Sequence, residues 1–337
     1  MDWFEKLTGF RETGYKETRQ KLSVDGHMLR SLVNGKAYDI GTLELVSLQT
    51  LRDRVREVDG LPGRPKVSAI SGDVRRLHQL PEFNGALFQV ASQFNLLEMP
   101  SFDVTPEQGV TGYQHDGTQG PACAIAAGAA TIYRNYFVPV DGHSGQRALR
   151  QLDGLADVGA ALQSAVGRPI SELWDMRNGY ALCTPGGLAS ISEHLSFLSA
   201  DERDALGAKL RIGVQTDVEV TDAEGAQRPL VSQAFCSALP VRYTRIPSAQ
   251  WQAFATLVLR AAYEATMWAG VLNAQRGRSN VVLLTHLGGG VFGNDPNWID
   301  DAIRHALAAA SAFDLEVRIV SYGATSARTH ELLADYR

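Results

Sequence analysis

Two stretches of this sequence combine residue types that can do chemistry. The first runs Gly288-Gly289-Gly290-Val291-Phe292-Gly293-Asn294, between the apolar run NVVLLTHL and a helix-start signal, Asp295-Pro296. Glycines let backbone turn tightly and approach a ligand with no Cβ in the way. Amides just ahead of a helix favour negative charge, and Asp-Pro fits a cap followed by a first helical residue. The implied chemistry is recognition of a phosphate or diphosphate; the plainer alternative is a tight strand-to-helix turn with no ligand. No Lys-Ser or Lys-Thr follows, which rules out a Walker loop. Gly288, Gly290 and Gly293 satisfy GxGxxG, but the next strand, LEVRIV, ends in Ser321-Tyr322 and not in the acidic residue a dinucleotide fold needs.

The second stretch, Leu96 to Gly120, is rich in Gly, Pro, Asp and Thr and has no clear period. A loop that long inside a compact chain is usually functional or disordered. It holds Asp103, Glu107 and Asp116, and just downstream Gln119. Glu98 reads as a residue that caps or orders this loop. His115 and His286 read as ordinary hydrogen-bonding histidines, and Trp251 and Trp268 as core. His and Asp spacing gives no ligand set, so neither metal nor cofactor is expected. Cys123, Cys183 and Cys236 form no CxxC pair and read as buried free thiols.

The elements that must position these residues alternate between strand and helix. GTLELVSLQTLRDRVREV spaces Leu43, Leu45, Leu48, Leu51 and Val55 for a helix over about 42–58. KVSAISGDV is a strand ending in Gly72-Asp73-Val74, and GALFQVASQFN is a strand buried on both faces and ending in Asn95. PACAIAAGAATIYRNYF reads as one helix of small residues. Residues 140–205 read as helices, with Leu149, Leu152 and Leu155 on one face. LRIGVQTDVEV and PLVSQAFCSAL pair around the turn DAEGAQ. A long helix through Trp251 and Trp268, the strand NVVLLTHL, a helix from Trp298 and a last strand LEVRIVSYG follow. The alternation predicts an α/β fold around a mixed, largely parallel sheet. Residues 1–40 are expected to be an extension packed on the core, and 41–337 one domain with a helical insertion near 140–205.

Composition narrows the partners. The chain has 337 residues, 45% apolar and 20% charged, with net charge −5. No run of Lys and Arg makes a basic face, so no nucleic-acid partner is expected. MDWFEKLTGF shows no basic region followed by an apolar stretch, and no apolar run is long enough to span a membrane. A cytoplasmic protein with no membrane contact is the expectation.

Taken in order, the motifs resemble the macrodomain family, whose members bind ADP-ribose; the resemblance implies a three-layer α/β/α domain. A strand ends in Gly72-Asp73-Val74, where the family has a GDI turn. The strand ending in Gln93-Phe94-Asn95 stands where it has Asn-Ala-Ala-Asn. Gly109-Val110-Thr111-Gly112 answers its Gly-Gly-Val loop, and Gly288 to Asn294 its late GxFG loop. The resemblance covers roughly residues 40–323. It implies that Asp73 accepts from the adenine amino group, flanked by Gly72 and Val74, and that Asn95 sits by the distal ribose. It implies that Gly109, Val110, Thr111 and Gly112 wrap the diphosphate from one side and Gly288, Gly289, Gly290, Val291, Phe292, Gly293 and Asn294 from the other.

The long insert after Asn95 is similar to the poly(ADP-ribose) glycohydrolase branch, but the Gln-Glu-Glu run of those enzymes is absent. A nearer likeness is to macrodomain hydrolases of bacterial effectors that remove ADP-ribose from arginine, which also admits delivery into another cell. By that likeness Asp116 and Asp103 are the catalytic acids, with Gln119 beside the ligand. A carboxylate there can stabilise charge at the anomeric carbon or activate water. The expected partners are ADP-ribose and an ADP-ribosylated protein. Two other readings stay open: a non-catalytic ADP-ribose reader, and a hydrolase of a free ADP-ribose derivative or NAD-related nucleotide.

Overall fold

A computed structural model describes residues 1–336 apart from Asp59 and Ala226. Residues 1–40 fold as α1 (Trp3–Thr8), α2 (Tyr15–Gln20) and an antiparallel sheet of β1 (Leu22–Asp25), β2 (Met28–Ser31) and β3 (Ala37–Asp39). β4 (Thr42–Ser47) and α3 (Leu48–Glu57) follow, then β5 (Lys66–Ser71), α4 (Val74–Leu77) and β6 (Leu87–Ala91). A long irregular stretch with two short 3-10 turns leads to α5 (Gln119–Ala126) and α6 (Gly128–Tyr136). Next come the two-residue pair β7 (Pro139–Val140) and β8 (His143–Ser144), then α7 (Ala156–Val166) and α8 (Ile170–Leu173). The hairpin β9 (Trp174–Arg177) and β10 (Tyr180–Cys183) precedes α9 (Pro185–Phe197) and α10 (Ala200–Gly207). β11 (Arg211–Glu219), β12 (Leu230–Cys236), α11 (Ser248–Gln275), β13 (Val281–Leu284), α12 (Pro296–Ala309), β14 (Glu316–Ser321) and α13 (Ala327–Ala334) complete the order.

Seven strands form the central sheet in the order β4-β11-β12-β6-β13-β14-β5. The run from β12 to β5 is parallel, and β4 and β11 add an antiparallel edge. Successive strand residues face opposite sides, and both sides are covered. Leu87, Val282, Leu284, Val317 and Ile319 pack with α3, α9, α11 and α12. Phe88, Val90, Val281 and Leu283 pack with Val74 and Leu77 of α4, Cys123 of α5 and Ala130 of α6. This is a three-layer α/β/α arrangement around a mostly parallel sheet, as expected. Phe4, Leu7, Phe10 and Tyr15 of the first helices pack on Ile132 and Tyr136 of α6. The three cysteines are buried and unpaired. Among the described residues no helix is long and apolar enough to cross a membrane.

Three local expectations are corrected. The helix over 42–58 begins only at Leu48, where Ser47 caps it by accepting from Thr50 N. Thr42–Ser47 is instead the edge strand paired with β11, because Leu43 and Leu45 also alternate at period two. The small-residue helix is two helices that meet at Ala127, since α1 crosses tightly there: a Cβ on Gly128 would lie 2.7 Å from Trp3. Leu149 is fully exposed and Leu152 precedes α7, so no helix face joins them to Leu155. The β9–β10 hairpin in this region has a sequence signal that the helical reading passed over. Asn178-Gly179 both take positive φ, 47° and 80°, as a two-residue hairpin turn requires. Of the DAEGAQ turn between β11 and β12, Ala226 lies outside the described residues.

Candidate active site

The parallel strands β12, β6 and β13 end at one edge of the sheet, where ligands of open α/β folds bind. β6 and β13 stay paired only through Phe88 and Leu283 and then part. The first residues of α5 fill the gap. Gln119 Oε1 accepts from Ala91 N (2.8 Å) and its Nε2 donates to Gln89 O (2.8 Å), so one side chain replaces the missing strand partner. Gly120 permits this docking, for a Cβ there would lie 2.0 Å from Ala91 O. No side chain caps α5, and its positive end faces a cleft of about 190 Å³.

The glycine loop forms the opposite bank. Gly288, at φ 74°, turns against Ala238. Asn294 closes the loop, with its amide N–H on Gly288 O (3.0 Å) and Nδ2 on Leu239 O (2.9 Å). Gly290 faces open space. Among the described residues, Gly290, Val291 and Phe292 give their amide hydrogens to no protein acceptor. Gly289 donates to His286 O (3.0 Å), and Gly293 packs against the Arg242 side chain, away from the cleft.

Aromatic rings close one end. Tyr180 of β10, Tyr243 and Phe292 lie 5.3–5.5 Å apart, centroid to centroid. Tyr180 donates its hydroxyl to Met99 O (2.7 Å) and accepts from Gln93 Nε2 (3.2 Å). Asp116 stands at the same cleft, half-buried, with Oδ1 accepting from Thr118 N (2.9 Å). Glu98 also lines it, with its carboxylate fully buried against Arg134 (3.1 Å). Burial pushes Glu98 up to about 7 against the opposing pull of Arg134. His286 is the cleft's histidine, and burial holds its pKa below the usual value. Among the described residues no Lys or Arg lines the cleft.

Of the residues expected from sequence, Asp116, Gln119, Gly288, Gly290, Val291 and Phe292 share this cleft. Gly72, Asp73 and Val74 lie along the same sheet edge at the end of β5. There Asp73 Oδ1 caps α4 by accepting from Arg75 N (2.9 Å), and Val74 is buried. Tyr322, 84% exposed, follows the neighbouring end of β14.

Other expectations are corrected. Asn95 is fully buried away from the cleft. It donates to Gln151 (2.7 Å), accepts from Leu97 N (3.0 Å) and packs under Gly179, so it anchors the β9–β10 hairpin. The loop Gly109 to Gly112 does hold an anion through its amides, but an internal one. Val110 N and Thr111 N donate to the Glu12 carboxylate (2.9 and 2.7 Å), and a Cβ on Gly109 would lie 2.3 Å from that carboxyl carbon. Asp103 is paired with Arg177 on the exposed rim, and Glu107 accepts from Ala148 N. Glu98, Gln93, Tyr180 and Tyr243 are cleft residues that the sequence reading did not select. Only Glu98, an acid within the apolar run NLLEMP, carried a signal.

Asp204, Glu264 and His305 each bring a ligand atom within 4.8 Å of the others, a grouping that sequence spacing did not suggest. Arg52 already bonds both carboxylates there, with Nη1 on Asp204 (2.6 Å) and Nε on Glu264 (2.7 Å), so a guanidinium occupies the place of a metal cation.

No protein-family model matches the chain. No curated protein matches it either. Among solved structures it is similar to the poly(ADP-ribose) glycohydrolase of Thermomonospora curvata at 15% identity and TM-score 0.43, covering 96% of each chain. The same enzyme bound to the inhibitor ADP-HPD gives 13% and 0.44, again over 96% of each. The glycohydrolase of Deinococcus radiodurans in complex with ADP-ribose gives 14% and 0.42, over 97% of each.

Proposed function

We propose that this chain is a macrodomain-like hydrolase that binds ADP-ribose along the sheet edge and releases it from a modified protein side chain, with arginine as the linked residue. The observation that carries the reading is the linear order of three chemistries. Asp73 and exposed Tyr322 stand at the ends of β5 and β14, free amides and a helix N-terminus stand at β13 and β6, and Asp116 stands at the far end. From β5 to β6 is three strand spacings, about 14 Å. That suits an extended molecule with a base at one end, a diphosphate in the middle and a ribose at the other. The carboxylate at Asp73 can accept from an amino group on a base, and Tyr322 can stack on it. Amides of Gly290 to Phe292 and the start of α5 suit the diphosphate without any basic side chain.

At the ribose end Asp116 takes a proton from the attacking water. The oxygen of that water bonds to the anomeric carbon as the carbon–nitrogen bond breaks. The bonding pair leaves on nitrogen, and Asp116 returns the proton to the leaving guanidine. Under this reading the partners are ADP-ribose and a modified protein, with no nucleic acid and no membrane. Residues 1–40 then serve as an extension holding the loop after β6, and the domain proper begins near residue 41.

Calorimetry with ADP-ribose tests the binding half. Gly290→Glu puts bulk and negative charge beside the free amides, and binding should fall below detection while circular dichroism stays unchanged. Normal affinity in that variant would remove the diphosphate from this loop. Release of ADP-ribose from arginine-, glutamate- and serine-linked proteins tests the chemical half. Tight binding with no release from any linkage would make the chain a reader.

A further inference from the structure

The aromatic end of the cleft joins an unpaired acid to a set of rings. Some half-buried acids of this molecule are held by backbone amides, as Asp153 is by Leu155 N and Asp73 by Arg75 N. Others meet an arginine: Glu98 with Arg134, Asp222 with Arg75, Glu219 with Arg228, Glu264 with Arg52 and Asp300 with Arg328. Asp116 is half-buried and has no such partner among the described residues. One of its oxygens is held by Thr118 N and the other is free. Withdrawing a carboxylate from water with nothing to pair it is unfavourable, so the position favours an incoming cation.

The walls agree with that charge. Tyr180, Tyr243 and Phe292 come from three segments distant in sequence, the β9–β10 hairpin, the turn after β12 and the glycine loop. They converge within 5.5 Å of one another. Tyr180 is buried, with its hydroxyl committed to Met99, whereas Tyr243 stays half-exposed to the cleft. Ring faces attract cations and offer nothing to anions. With no Lys or Arg among its described lining residues, the cleft holds no ammonium or guanidinium of its own to compete.

We propose that this end of the cleft is a subsite for an organic cation, an alkylguanidinium or alkylammonium group, lying against Tyr243 with its N–H groups on the free oxygen of Asp116. Its assignment as the seat of the leaving side chain rests on the hydrolase reading above, but its affinity for a cation does not. The hairpin insertion then has a stated part in recognition, since Tyr180 braces Tyr243 from behind.

The test is a titration of the full chain with ethylguanidinium and with neutral N-ethylurea of the same shape, followed by NMR line shifts, with and without ADP-ribose. The guanidinium should bind saturably in the millimolar range and the urea about 10-fold more weakly or not at all. Tyr243→Leu and Asp116→Asn should each weaken the guanidinium about 10-fold. Tyr243→Phe, which keeps the ring, should stay within about 2-fold, and so should Asp103→Asn on the rim. Equal binding of urea and guanidinium, no saturable guanidinium binding, or unchanged affinity in Tyr243→Leu would each overturn the subsite. Guanidinium binding without ADP-ribose binding would keep the subsite and sink the hydrolase reading. ADP-ribose binding and release with no guanidinium affinity would do the reverse.

Discussion

Glu264 and Asp116 are both acids set into hollows of this molecule, and their surroundings could hardly differ more. Glu264 on α11 uses every lone pair. Oε1 accepts from Arg52 Nε (2.7 Å) and Trp268 Nε1 (2.8 Å), and Oε2 from Arg52 Nη2 (2.8 Å) and His305 Nε2 (2.9 Å). Asp116 has one oxygen on a backbone amide and the other open to a cleft walled by aromatic rings. The first arrangement joins α3, α11 and α12 into one layer. The second leaves a charge whose partner has to come from outside. Proximity of acids is therefore a poor guide to chemistry here; the more informative feature is whether the protein has already answered the charge.

The largest effect should come from breaking the satisfied side of this contrast. Glu264→Ala takes one of its two carboxylates from Arg52, which keeps Asp204, and also unpairs Trp268 Nε1, so it should cost about 2–4 kcal/mol in urea unfolding while the folded fraction keeps its ADP-ribose affinity. The same carboxyl sets an acid limb. Burial works to raise its pKa, but hydrogen bonds from His305, Arg52 and Trp268 outweigh it and hold the group down to about 2, against an ordinary 4.5. A depressed folded pKa means stabilisation that is full above pH 4.5 and lost as pH falls through 2. Unfolding free energy measured across that range should lose this slope in Glu264→Gln.

Next in size is the unsatisfied side. Asp116→Asn keeps the shape and removes the charge, so single-turnover release should slow about 100-fold with ADP-ribose affinity nearly intact. Full activity would remove Asp116 from the chemistry and leave the comparison without its second term. Glu98 sharpens the contrast from between the two, as a buried acid whose pKa is raised to about 7. Its contribution is full below pH 4.5 and declines as pH rises through 7, opposite in sign to that of Glu264. Glu98→Gln should abolish a slope of up to about 1.4 kcal/mol per pH unit in that window. Smallest is Asp103→Ala, which breaks a rim pair with Arg177 and should change stability by less than about 1 kcal/mol and leave release unchanged.

Much of the scaffold was legible because its signals are local. β5, β6, β13 and β14 announce themselves as apolar runs, and the glycine loop is marked by its own composition. Parts of the candidate site were legible for the same reason, with Asp116, Gly288, Gly290, Val291 and Phe292 brought to one cleft. What failed were inferences that required knowing who answers whom. Asn95 and the Gly109 loop look like ligand contacts until Gln151 and Glu12 are seen to hold them. Asp103 looks like Asp116 until Arg177 is seen beside it. Tyr180 and Tyr243 were invisible, because an aromatic residue gives no sign in sequence of which distant segment it will face.

The carboxylate of Glu12 seated on Val110 and Thr111 has a bearing on how the chain comes into being. The contact spans 98 positions, and β4, at the sheet edge, waits longer still for its neighbour β11. At about 5–20 residues per second, a ribosome delivers the loop some 5–20 s after Glu12 has emerged. During that interval the first helices have Leu22, Leu29 and Tyr38 of the small sheet to pack on, while the faces of Phe4 and Leu7 that meet α6 stay open. The segment that comes first in this fold is thus among the later ones to settle, because its last contacts wait for α6.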